Sequence, residues 1–214
     1  MTQPKVDPGF GAARVSIRPI DPGKLGAYSV GLVSGVLPAA LGANSEILQF
    51  RWTDATRLCV INEIKISAAV STTFFSAGVP VQIDLVKATA WSVAGSGGKR
   101  VTPAALMKKR TSMGSSLIAA NDIGIANIAA LTAGTKTLET VSLAALVAPG
   151  PVTASLDGKI IAPGTLLWRA ESGDGQHPLV LAQNEGFVVR SVAVPATGTW
   201  TAAIAIDWTE VVVY

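Results

Sequence analysis

Two residue types that carry much of protein chemistry occur once each in this chain of 214 residues: one cysteine, Cys59, and one histidine, His177. A lone cysteine excludes an internal disulfide, and a lone histidine excludes a histidine-rich metal site or a histidine pair within one chain. Charge is scarce as well. Asp, Glu, Lys and Arg make up 14% of the residues, against about 25% in an ordinary soluble domain. The stretch between Lys24 and Glu46 is free of charge, yet Gly26, Ser29, Gly31, Ser34, Gly35, Pro38 and Gly42 break it. It reads as extended chain and not as a membrane span. Residues 1–24 mix charges with prolines and glycines and do not read as a signal peptide, and no Asn-x-Ser/Thr sequon occurs. The expectation is a chain made and folded in a reducing cytoplasm.

Catalytic patterns are missing too. His177 precedes Pro178 at the end of a glycine-rich loop with Asp174 nearby, but no Gly-x-Ser-x-Gly elbow accompanies them, so His177 reads as a solvated or turn-packed side chain. Ser96-Gly97-Gly98-Lys99 matches Ser-x-x-Lys in a flexible loop, where that chemistry needs a helix start. Gly98-Lys99 lacks the spaced glycine and the following Ser/Thr of a phosphate loop, and Glu171 and Asp174 lack the alternating carboxylates of a calcium loop. Cys59 reads as an inert mid-strand thiol. The residues therefore point to no catalytic group, no cofactor and no metal; the competing enzyme class is a hydrolase acting on a host surface polymer.

What the chain does have is alternation. In Thr199 to Tyr214, Trp200, Ala202, Ile204, Ile206 and Trp208 fall on one face and Thr201, Ala203, Ala205, Asp207 and Thr209 on the other. With Phe187 to Val194 before it and Pro195 to Gly198 as a turn, this predicts a closing antiparallel hairpin that buries one face on a second sheet. Ser45 to Trp52 and Val79 to Val93 alternate likewise. Arg57 to Val70 places Leu58, Val60, Ile64, Ile66 and Ala68 inward, with Asn62 interrupting that face and Cys59 outward. Residues 117–131 and 137–147 are apolar without a decisive period. Val152 to Ile161 predicts a strand pair bent at Asp157-Gly158, and 165–170 and 179–182 predict short strands. The one helix signal is Thr102 to Arg110, with Thr102 as N-cap, Pro103 at the first position and basic residues at the end. The predicted fold is all-β: an antiparallel β-sandwich, jelly-roll-like, with one short helix. Residues 1–44 form an extended N-terminal arm and lead-in, and 45–214 form a single sandwich domain with a basic excursion at 95–113.

No acidic residue lies between Asp84 and Asp122, whereas Lys87, Lys99, Arg100, Lys108, Lys109 and Arg110 do. With Arg14 and Arg18 of the arm, Lys99, Arg100, Lys108, Lys109 and Arg110 are the candidate partner contacts. The alternative is a solvated loop that keeps an apolar protein dispersed. The net charge of +3 is mild, and only Trp91 interleaves with the basic residues, so no nucleic-acid partner and no membrane contact are expected. A chain this poor in charge would leave much apolar surface wet as a monomer, which points to burial between subunits, as a homo-oligomer with three copies favoured.

The runs Gly26-Ala27-Tyr28, Ser34-Gly35, Leu41 to Glu46 and Phe50 to Asp54, then His177 to Leu181, Asn184 to Val188, Pro195 to Trp200 and Trp208 to Glu210, together resemble structural proteins encoded among the virion genes of tailed bacteriophages. In style the chain is similar to phage head-decoration and stabilisation proteins, which are jelly-roll sandwiches with extended termini clustered on the capsid exterior. The resemblance implies a non-enzymatic capsid decoration or cement protein at the virion surface, made in a bacterial host, whose partners are the major capsid protein or other virion proteins. A receptor- or glycan-binding sandwich of a phage tail or fibre is the alternative.

Overall fold

The structure is a computed structural model and describes residues 26–38, 41–76, 78–102, 107–152, 158–170, 177–193 and 196–212. Its strands, in chain order, are β1 (Ala27–Val33), β2 (Leu37–Pro38), β3 (Ser45–Trp52), β4 (Leu58–Val70), β5 (Val81–Val93), β6 (Lys99–Arg100), β7 (Ile123–Ile125), β8 (Thr135–Leu138), β9 (Ala144–Ala148), β10 (Lys159–Arg169), β11 (Leu179–Leu181), β12 (Glu185–Ala193) and β13 (Thr199–Val211). They form two sheets. The first runs β1-β13-β4-β10, with β2 on β13 and β11 on β4; the second runs β6-β7-β3-β12-β5, with β8 and β9 both on β5. Neighbouring strands are antiparallel. Along the chain, β1, β4, β10 and β13 lie in one sheet and β3, β5, β9 and β12 in the other, in spatial orders 1-13-4-10 and 3-12-5-9. That is the order of a jelly roll. The expected all-β sandwich is the fold.

The expected closing hairpin is a different object. β12 pairs with β3 and β5, while β13 pairs with β1, β2 and β4. The two strands therefore face each other across the core as an arch instead of lying side by side. The reason is the apolar payload: each strand carries a full inward face, Phe187 and Val189 on one and Trp200 to Trp208 on the other, and all of these are buried. Facing sheets bury both at once, where a hairpin would put them side by side on one surface. Phe50 stacks on Phe187 at 5.0 Å between ring centroids and meets Trp208 edge-on at 5.5 Å. Aromatic pairs of this kind contribute about 0.5–1.5 kcal/mol each beyond area burial.

The sandwich begins earlier than residue 45. Tyr28, Val30 and Leu32 of β1 pair with Trp208, Ile206 and Ile204 of β13 and turn into the core, so part of the expected lead-in is sheet. β4 holds a second departure. Glu63 pairs with Asp207 but Ile61 pairs with Trp208, leaving Asn62 without an opposite residue. This bulge reverses the facing of the first part of the strand. Cys59 and Ile61 are fully buried, and Asn62 turns outward to donate to Thr209 Oγ1 at 2.9 Å. A polar residue that interrupted an inward row in the sequence is accommodated by stepping the row around it. Residues 153–157, with the expected bend at Asp157, lie outside the described residues; beyond them, β10 runs from Lys159 through the expected short strand to Arg169 with register shifts along β4.

Residues 103–106 of the expected helix lie outside the described residues. Met107 lies in a 3-10 turn and from Lys108 on the chain is not helical: Lys108 forms an antiparallel bridge with Tyr28 on the free side of β1, and the Lys109 amide donates to Ala27 O. The excursion thus adds β6 to the β3 side of the second sheet and crosses to β1 of the first at Lys108, and the chain then returns to the second sheet as β7. Met107, Ile118, Ile123, Ile125 and Leu131 are buried within the core cluster along this route.

Candidate interaction surface

The second sheet has a charged outer face, and the segment between β5 and β9 roofs it. Glu46 of β3 lies under Lys136 of β8, with Nζ to Oε1 at 2.8 Å and side chains only 7% and 2% exposed. Gln49 Nε2 donates to Glu46 Oε2 at 2.5 Å and to Thr132 O at 2.7 Å, and its Oε1 accepts from both terminal nitrogens of Arg100 at 3.2 Å. The Lys136 ammonium also stands 4.6 Å from the centre of the Trp91 ring. Farther along the face, Arg51 binds Asp122 at 2.7 Å and Arg190 binds Asp84 at 2.6 Å. Asp122 also accepts from Thr53, and Asp84 from Ser142. Charges this buried persist only when paired and hydrogen-bonded. Burial draws the Arg100 guanidinium below its usual pKa, opposed by Asp122 and Glu46; the hydrogen bond to Asp84 holds Arg190 above its own, against the pull of burial.

A second clasp fixes the other end of the excursion. Glu210 of β13 is fully buried, and its carboxylate accepts from Ser116 Oγ at 2.6 Å, from the Leu117 amide at 3.2 Å and from Trp208 Nε1 at 3.2 Å. Burial raises its pKa, and those three donors pull against the rise.

Most of the candidate contact residues serve these attachments. Lys99 Nζ reaches Val33 O at 3.1 Å, Arg100 holds Gln49 along with the carbonyls of Gly97 and Asn121, and Lys109 pairs with Asp207 at 2.9 Å. Lys108 contributes its backbone to the bridge with Tyr28 and its side chain is half-buried. Arg110 is exposed, with Nε donating to Ser112 Oγ at 3.2 Å. Arg14 and Arg18 lie outside the described residues, as do Glu171 and Asp174. The structure brings Lys99 and Arg100 to the β1–β7 side of the molecule, but they face different partners and form no common patch.

Other singled-out residues are dispersed. His177 Nδ1 lies 2.8 Å from Pro178 O. Ser96 shares its hydroxyl with Thr132 while Lys99 turns to β1, so the Ser-x-x-Lys match is not a pair in space. Cys59 is buried, and burial, reinforced by the Glu210 charge, pushes its thiol pKa well up. Trp91, the one aromatic residue among the basic residues in sequence, is 1% exposed beneath Lys136; a positive φ of 48° at Ala90 precedes it in β5. No group of three or more His, Cys, Asp or Glu suited to a metal occurs among the described residues.

The first sheet differs. Its outer face carries Gly31 and Val33 of β1, Thr201, Ala203 and Ala205 of β13, and Ser67 and Ala69 of β4, which floor two adjoining shallow hollows of about 150 and 190 Å³. Lys65, Lys159 and Gly164 stand at the rim. At one end of the sandwich, residues 54–58 with Ala182, Gln183 and Val212 line a further hollow of about 400 Å³. Sequence reasoning found the alternation that builds the small-residue face but not the roof over the other sheet, because nothing local links Glu46 to Lys136 or Asp84 to Arg190. In comparisons with known proteins, no family model, no curated protein and no solved structure matches this chain.

Proposed function

We propose that this chain is a non-enzymatic structural protein of a bacteriophage virion, of the decoration or cement type, that adds stability to a capsid by bridging its subunits. The observation that carries this reading is the unequal treatment of the two sheets. One outer face is roofed by the chain's own excursion and charge network, while the other presents a flat floor of Gly, Ala, Ser, Thr and Val. A small-residue face whose hollows are shallow and open suits another protein surface better than a small substrate, which needs a pocket that encloses it. Buried ionic groups that could have served chemistry are bound to one another instead. Many copies on a repeated lattice make weak contacts of this kind add up. The partners on this reading are the major capsid protein or other virion proteins, together with further copies of the chain, and the place is the capsid surface.

The contact elements are the residue 1–25 arm and the outer face of the first sheet. The excursion, with most of its basic residues engaged internally, serves chiefly to rigidify the molecule. The test is to purify particles with and without the protein, locate it and count its copies by electron cryomicroscopy, and follow particle survival on heating or chelation. Ordered copies on the head and a loss of heat resistance without them are expected. Turnover of a bacterial glycan or peptidoglycan that disappears in His177→Ala would overturn the reading, as would location on a fibre with glycan binding.

A further inference from the structure

Among the described residues, the second sheet ends in a strand with no partner strand on its far side. β9 pairs with β5, from Val81 opposite Ala148 to Leu85 opposite Ala144, and among the described residues no strand pairs with its other edge. Its side chains alternate: Ala144 and Leu146 pack toward the core cluster, while Leu143, Ala145 and Val147 are exposed. Leu143 is 45% and Val147 64% exposed, and Val141, just ahead of the strand, is 77% exposed. Residues 140–152 carry no charge. Proteins normally blunt such an edge with an outward lysine, an internal proline or a bulge. β9 has none of these; Pro149 comes only after the strand.

We propose that β9 is a self-association edge, pairing antiparallel with β9 of a second copy about a two-fold axis normal to the sheet. A rotation about that axis keeps each face of the sheet on its own side, so the outward row of one copy must meet the outward row of the other. With the axis at Ala145, Leu143 of each copy stands opposite Val147 of its mate on both sides of the axis. The second copy is the occupant whose matching row is guaranteed, since one uncharged alternating strand supplies both halves. The neighbouring charge does not oppose the approach. Asp84, opposite Ala145 on β5, is held by Arg190 at 2.6 Å and by Ser142 at 2.7 Å. The contact is small, below the roughly 1,200 Å² of a stable interface, so the pair is weak and forms with rising concentration. It does not depend on the virion reading.

Sedimentation equilibrium of the full chain from micromolar to near-millimolar concentration tests this, with a monomer–dimer equilibrium expected. Val147→Lys, at an exposed site, is to shift the chain to monomer with unchanged circular dichroism and melting. Ala145→Cys is to form disulfide-linked dimers under mild oxidation, because directly opposed residues lie about 4.5–5.5 Å apart, within disulfide reach. Cys59 is buried and does not compete. Ile128→Cys, at a site 72% exposed between β7 and β8, is to stay monomeric. A chain monomeric throughout, an oligomer indifferent to Val147→Lys, or equal cross-linking from Ile128→Cys and Ala145→Cys overturns the proposal. Binding of a monomeric chain to particles would sink the pairing and leave the virion reading intact; a β9 dimer that never binds particles would do the reverse.

Discussion

Replacing Lys136 by methionine keeps the length and most of the volume of the side chain but removes its charge. Glu46 would then stand 7% exposed with the Gln49 amide as its remaining close donor. Breaking a buried ion pair from one side costs about 3–5 kcal/mol, because the orphaned charge keeps its desolvation penalty. The lost ammonium over Trp91 belongs to the same penalty and is not added to it. For a chain of this size each kcal/mol lowers the melting temperature by about 2–4 °C, so a fall of roughly 6–20 °C is expected. Urea unfolding followed by tryptophan fluorescence reads the same quantity as a lower midpoint at constant slope. The decisive arm is Glu46→Gln with Lys136→Met. Removing both charges leaves Gln49 facing a neutral amide and is expected to return stability to within about 1–2 kcal/mol of the original. The loss in Lys136→Met should also persist at high salt, since the pair is shielded from solvent ions. A single variant that costs under about 1 kcal/mol, or a double variant no better than the single, would refute the view that this pair is a buried clasp holding the segment between β5 and β9 to the sheet.

Glu210 titrates against the fold. Its native pKa is raised by burial, so the folded state holds the proton more tightly than the unfolded chain; the contribution is full below the ordinary glutamate value and is lost as pH rises through the raised native one. Glu210→Gln should therefore flatten stability against pH in that window, while below the ordinary glutamate value it changes stability by no more than about 1 kcal/mol, the amide oxygen still accepting from Ser116 and Leu117. A pH profile identical to that of the parent would refute this. Gly186 of β12 has no room for a methyl group: an added Cβ would lie 2.1 Å from Phe50 O and 2.9 Å from the Trp91 ring, so Gly186→Ala should cost about 1–3 kcal/mol. Gly31→Ala, with nothing within 4 Å on the open face, should be neutral or slightly stabilising, and equal thermal shifts in the two variants would contradict the packing. Trp52, Trp91, Trp200 and Trp208 are at most 1% exposed, so acrylamide should quench native fluorescence weakly, mainly through Trp168, and strongly only after unfolding.

Side-chain period told much of this fold because a sheet with one buried face writes its burial directly into the sequence. Trp200, Ala202, Ile204, Ile206 and Trp208 are all buried, as their spacing requires. Period says nothing about which strand lies beside which. β12 and β13 are separated by a short connection with turn chemistry, and both a hairpin and an arch satisfy that pattern; only the demand that both apolar faces meet across one core separates the two. Asn62 is instructive in the same way. A single polar residue in an inward row was legible as an interruption, but whether the row breaks, tolerates it or steps past it depends on Thr209, which lies 147 positions away and accepts its hydrogen bond.

Charge was harder to read than hydrophobicity, and the physical reason bears on function. The absence of acids between Asp84 and Asp122 suggests a basic patch, because in sequence a lysine has only local neighbours to neutralise it. In the folded chain the partners come from other strands: Lys109 finds Asp207, Lys87 finds Glu185, and Lys99 finds the carbonyl of Val33. A chain with few charges cannot leave many of them in a long loop without weakening the loop's hold on the core. Binding them back turns an excursion that interrupts the fold into a roof for the second sheet, fastened at Glu46, at Asp84 and again at Glu210. Among the described residues, that fastening leaves the outer face of the first sheet and the edge at β9 open to contact. On the two readings proposed above, the surfaces are separable by mutation: a bulky substitution at Ala203, on the open face, should impair the proposed particle binding while leaving the proposed self-association unchanged, whereas Val147→Lys should do the opposite. Loss of both activities from either change alone would mean that one surface serves both and that the division of labour argued from the two sheets is mistaken.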